Sequence, residues 1–192
     1  KAFNRNPNFY DRTEELNQYK LLHLSTHCHL KTTDNMLLFG TKKNQSNQIS
    51  GFGGFPNVEK ESIKIEGESY LDIYKTLCNR LTAEIGTLVS EIESIQAVGI
   101  TYVDNPCLRG VDLDYLIELN ETSDNARKQF KASAQFKRCL FTVEFKPTKI
   151  AAFIEGIYQQ KREMSPYALG CIVAEIGGMY GMKEANIIPN NA

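Results

Sequence analysis

The sequence has no apolar run near the roughly 18 residues that a membrane-spanning helix needs, no C-x-x-C pair, and a net charge of only -1. The first absence removes the membrane as a partner. The third removes the electrostatic case for non-specific binding to nucleic acid or to an acidic lipid surface. Five cysteines, Cys28, Cys78, Cys107, Cys139 and Cys171, are scattered singly. An odd, unclustered set reads as reduced thiols and so as a cytoplasmic protein. The chain starts at Lys1 rather than Met, which is compatible with a removed targeting segment. Of 192 residues, 42% are apolar and 23% charged, a globular balance able to build one core.

Residues 1–18 are polar and Asn-rich and read as an arm. A strand pattern follows over 19–30, with Leu22, Leu24, Cys28 and Leu30 on one face and His23, Ser25, His27 and His29 on the other. Thr33-Asp34-Asn35 supplies turn chemistry before a second apolar run over 36–40, so a hairpin is expected. Gly51-Phe52-Gly53-Gly54-Phe55-Pro56 marks a place where the backbone turns sharply or approaches something closely. An acidic connection over 59–68 leads to an expected helix over 69–85, with Tyr70, Tyr74, Leu77, Leu81 and Ile85 as its buried face and Gly86 as its stop.

Strands are expected over 97–103, 111–119 and 139–145, and the stretch 120–138 reads as a polar, partly basic connection. Pro147 and Ser165-Pro166 each open a helix. There is no internal repeat and no second core. Strands, a helix, more strands and two helices point to one α/β domain, with a mixed sheet covered on both faces.

With those elements in place, the chain resembles the Nudix hydrolases. The resemblance rests on the hairpin, Gly53-Gly54, Gly67-Glu68-Ser69, and a helix ending Asn79-Arg80-Leu81-Thr82-Ala83-Glu84-Ile85-Gly86, where the family reads R-E-x-x-E-E-x-G. It covers roughly residues 19–182 and implies a Nudix-like α/β/α sandwich with a mixed β-sheet over 19–186, followed by a tail over 187–192. It also implies magnesium or manganese held by helix glutamates against a diphosphate. Loops at 42–50 and 120–138 would choose the ligand.

The departures from the family pattern carry the functional expectation. Arg80 and Ala83 stand where the family has glutamates, and only Glu84 keeps its carboxylate. A unit-charge pair at roughly 4 Å is worth about 4 kcal/mol at an effective dielectric of ~20, so a guanidinium beside the metal seat weakens binding by orders of magnitude. Arg80 and Glu84, four apart on a helix, are expected to pair with each other. The resulting expectation is a degenerate Nudix box and a non-hydrolytic binding module for a nucleotide-type ligand or a protein partner. Gly53, Gly54, His27, His29 and Arg80 would line its cleft. The alternative is a metal-dependent hydrolase of nucleoside diphosphate derivatives whose ligands have moved to Glu68, Glu84, Asp112 and Asp114, with Glu84 and Glu68 as catalytic candidates and Glu84 on the metal.

Plainer readings compete with these. The glycine loop makes an ordinary turn, and Asp112, Asp114 and Glu118 read as exposed charges of a half-buried strand. The basic group Arg127, Lys128, Lys131, Lys137 and Arg138 reads as a solvated loop. Zinc on His23, His27 and His29 lacks a fourth ligand, because Cys28 points to the other face.

Overall fold

The computed structural model describes residues 23–43, 48–57, 59–86, 91–105, 108–130 and 136–180. The expected arm over 1–18 and tail over 187–192 lie outside the described residues. The strands are β1 (His23–Lys31), β2 (Met36–Lys42), β3 (Gln48–Ser50), β4 (Phe52–Gly54), β5 (Ser62–Ile65), β6 (Glu68–Leu71), β7 (Ile92–Asn105), β8 (Leu108–Leu119), β9 (Phe136–Glu144) and β10 (Glu163–Met164). The helices are α1 (Ile73–Ile85), α2 (Ser123–Gln129), α3 (Pro147–Gln159) and α4 (Pro166–Tyr180). None is long and apolar enough to cross a membrane.

Eight strands form one mixed sheet in the order β10-β3-β2-β1-β8-β7, with β4 also paired to β1 and β9 to β2. β1 is its axis. Along one edge it runs parallel to β8 for its whole length, from His23↔Gly110 to Lys31↔Glu118. Along the other it changes partner, pairing with β4 at Thr26–Cys28 and with β2 at Leu30 and Lys31. The turn between β1 and β2 falls at the expected place, with Asn35 at φ 58.

Alternation along each strand sends side chains to two separate cores. Cys28, Leu30, Leu38, Phe52 and Ile117 meet Leu77, Leu81 and Ile85 of α1, with Ala126 of α2. On the opposite face, Leu37, Phe39, Leu116 and Val143 meet Ile150, Ile154 and Ile157 of α3 and Ala168, Ile172 and Ile176 of α4. Helices therefore cover both faces of the mixed sheet, as the order of elements implied.

Several local expectations are corrected. Residues 68–71 belong to a β5–β6 hairpin, and α1 begins only at Ile73, where Asp72 caps it by accepting from Lys75 N at 2.9 Å. Tyr70 and Tyr74 are therefore exposed. A short helix, α2, forms within 120–138, capped by Thr122. Asp112 and Asp114 are buried, at 2% and 0% exposure. β8 is an interior strand between β1 and β7, and α4 covers the face that these carboxylates share.

Candidate functional site

The α1 end of the site starts from a close approach of backbone to helix. Gly53 has φ +125, and a Cβ there would lie 2.3 Å from Thr26 O, so only glycine fits. With no side chain in the way, its N–H reaches into the sheet–helix seam and donates to Glu84 Oε2 at 3.0 Å. Glu84 is buried, and its Oε1 has no hydrogen-bond partner. Burial pushes the carboxyl up to about 7, against the opposing pull of the Gly53 N–H, Lys42 and Arg80.

One turn earlier on α1, the Arg80 guanidinium donates to Phe55 O. Its Nε is buried without a partner and lies 3.6 Å from the place a Cβ on Gly54 would take. Among the described residues Arg80 and Glu84 make no ion pair. The expected pairing is replaced by two bonds to backbone, Glu84 to Gly53 N and Arg80 to Phe55 O. Ala83 is exposed.

Glu61 was not singled out in the sequence, yet it ties the loop to this helix. Its carboxylate accepts from Asn57 N at 2.6 Å, Thr76 Oγ1 at 3.1 Å and Asn79 Nδ2 at 3.2 Å. Burial alone would raise its pKa, but those bonds and the Arg80 charge lower it. Glu61 sits in the acidic stretch over 59–68, and only its partners on α1 set it apart from its neighbours. Glu68 lies instead on the exposed hairpin, accepting from Tyr70 OH at 3.0 Å.

The histidines face the other way. His29 is fully buried beneath α4, with Nδ1 3.0 Å from Glu175 Oε1 and its ring 4.9 Å from that of Phe39. His27 is buried beside it, with Nε2 unpartnered, and a Cβ on Gly51 would come within 2.5 Å of that nitrogen. Burial, with His29 and Lys42 adding to it, holds His27 well below the ordinary imidazole range, so it is neutral. Asp112 accepts from Ser25 Oγ, and Asp114 accepts from Thr101 Oγ1 at 2.6 Å. Burial raises both carboxyls, to about 7 and about 6.

The fold raises the question of a divalent ion at α1, and the residues present do not fit one. Hard cations take several oxygen ligands. The helix offers a single carboxylate, half of it engaged by Gly53, with Arg80 and Lys42 supplying positive charge. Among the described residues, the one group of three donors close enough to share an ion is His29, Cys171 and Glu175. Glu68, Glu84, Asp112 and Asp114 form no such group. A shallow pocket lined by Lys31, Thr32, Thr33, Asn35, Glu93 and Glu118 lies at the Lys31 end of β1, away from Glu84 and Arg80.

No sequence-family model and no curated protein matches the chain. Solved structures do match. A Nudix hydrolase from Nitrosomonas europaea is 12% identical, with 82% of this chain and 90% of that one covered and a TM-score of 0.53. A bifunctional NMN adenylyltransferase/ADP ribose pyrophosphatase from Francisella tularensis is 10% identical with a TM-score of 0.52. There the match covers 90% of this chain but 46% of the longer one, so this chain spans less than half of that protein. At such identities the likeness shows the fold alone, and that fold is the Nudix fold.

Proposed function

We propose that this Nudix-fold chain is a non-hydrolytic binding module whose cleft beside α1 takes a nucleotide-type ligand. The observation that carries the reading is the state of the α1 face. A guanidinium, a methyl group and one buried carboxylate bonded to Gly53 N stand there in succession. Without several acidic oxygens there is nothing to hold magnesium or manganese against a diphosphate. What the face offers is an anion's complement: the buried, unpartnered Arg80 Nε beside Gly54, and the Lys42 charge behind it. A planar guanidinium suits phosphate oxygens. The Francisella protein, in a structure complexed with AMP and a Mn ion, matches this chain with a TM-score of 0.50 at 12% identity. That likeness supports a nucleotide as the class of ligand to try.

The test is thermal unfolding with AMP and with ADP-ribose, each with and without Mg²⁺ or Mn²⁺. A ligand at about 100 times its Kd adds about 2.7 kcal/mol to the folded state. For a domain of this size that is a melting-temperature rise of roughly 5–10 °C. The rise is expected without metal, with no product released, and it should vanish in Arg80→Glu. Metal-dependent hydrolysis abolished by Glu84→Gln would overturn the reading in favour of a hydrolase with relocated ligands. No shift with any nucleotide would leave the cleft to a protein partner or a scaffold role.

A further inference from the structure

We infer that His29, Cys171 and Glu175 hold a zinc-class divalent ion in the core between β1 and α4. Cys171 and Glu175 stand four apart on α4, so both side chains leave the helix on one face. His29 rises toward that face from the second half of β1. His29 Nδ1 lies 3.0 Å from Glu175 Oε1, Cys171 Sγ lies 3.3 Å from the same oxygen, and the donor atoms of all three fall within 4.8 Å of one another. A tetrahedral ion with bonds of about 2.0–2.3 Å spaces its ligands about 3.3–3.8 Å apart. The present separations, 3.0 and 3.3 Å to the shared Glu175 oxygen and none above 4.8 Å, bracket that spacing.

The donor chemistry selects the metal. One sulfur, one imidazole nitrogen and one carboxylate oxygen make a borderline-soft set that suits zinc and does not suit magnesium or calcium. The three residues are at most 1% exposed. Two further buried atoms point to a missing partner: Glu175 Oε2 makes no hydrogen bond, and neither does Oδ1 of Asp114. Asp114 pairs in register with His27, two residues before His29 on the same face of the sheet, and Thr101 Oγ1 holds its other oxygen. Asp114 lies outside the 4.8 Å set, but its charge bears on His29, Glu175 and Cys171, so it stands near the trio. Metal binding requires the Cys171 thiolate and an unprotonated His29 Nδ1, and the displaced protons pass to water as the chain folds around the ion. With the three side chains at most 1% exposed, the ion would enter as the chain folds and would fasten α4 to the central strand.

The full chain, expressed in zinc-supplemented medium and desalted, is expected to retain zinc near stoichiometrically by elemental analysis. Chain refolded with Co²⁺ should show the intense visible bands of a tetrahedral ion and a near-ultraviolet thiolate-to-cobalt band. Cys171→Ser should lose the thiolate band and most of the metal, while Glu59→Gln, on the exposed loop, should keep both. Where the serine variant fails to fold, the wild-type cobalt spectrum and the loss of melting temperature after refolding with a chelator remain decisive. A wild-type chain that retains no metal and melts identically with zinc and with chelator would overturn the inference. The outcome is independent of nucleotide binding at α1, whose expected melting shift needs no added metal.

Discussion

Glu84 of α1 and Glu175 of α4 are both buried glutamates, at 2% and 1% exposure, and they serve opposite faces of one sheet. Each has one oxygen engaged and one without a partner. Their neighbours differ in kind. Glu84 sits with a backbone N–H and two cationic side chains, which suits an anion arriving from outside. Glu175 sits with imidazole and thiol, which suits a cation enclosed within. The lesson is that a buried carboxylate takes its meaning from its partners.

The comparison breaks most forcefully at Glu175. Glu175→Ala leaves His29 and Cys171 buried without their acceptor, and it should destabilise the chain by about 3–5 kcal/mol in urea unfolding. A loss below about 1 kcal/mol would show that His29 and Glu175 contribute little to holding α4 on the sheet.

The next largest effect is a pH dependence at Glu84. Its folded pKa, about 7, lies above the ordinary 4.5. The folded state therefore binds the proton more tightly than the unfolded chain between those values, and stability falls as pH rises from about 4.5 to 7. The full difference amounts to about 3 kcal/mol. Glu84→Gln, which mimics the protonated group, should make this part of the profile less steep, with Asp112 and Asp114 supplying the slope that remains, and make the chain more stable than wild type at pH 8. Parallel pH profiles for the two chains would show instead that Glu84 titrates as an ordinary surface carboxylate.

Gly53→Ala should cost about 2–3 kcal/mol through the strained backbone and the collision with Thr26 O. It should also blunt the nucleotide-induced shift by displacing the N–H that holds Glu84. Thr76→Val removes one hydrogen bond to buried Glu61 and should cost about 1 kcal/mol without altering the metal content of the chain. Equilibrium unfolding and elemental analysis check both.

Much of the scaffold is legible in local signals. Thr33-Asp34-Asn35 marks the first hairpin, Gly86 stops α1 in the left-handed conformation, and Pro147 and Pro166 open α3 and α4. Each is a short-range effect of backbone chemistry. The misreadings share a different cause. Alternation along β8 separates Asp112 and Asp114 from Val111 and Leu113, but it cannot say which face a distant helix will cover. The helical spacing of Tyr70 and Tyr74 cannot show that residues 68–71 fold back on 62–65. The pairing of His29 with Glu175 joins positions 146 apart, and Glu61 meets Thr76 and Asn79 across an intervening hairpin. Such contacts are products of tertiary closure and leave no periodic trace.

The parallel ladder between β1 and β8 has a kinetic consequence. Ser25 meets Asp112 across 87 positions, so the axis of the sheet stays open along that edge until more than half of the chain has emerged. Closing so large a loop places this domain among slow folders, on a scale of roughly milliseconds to seconds. In the interval β1 exposes an unpaired edge rich in hydrogen-bonding groups. A chain halted before Leu108 would be left with that edge permanently bare, and self-association would be its expected fate.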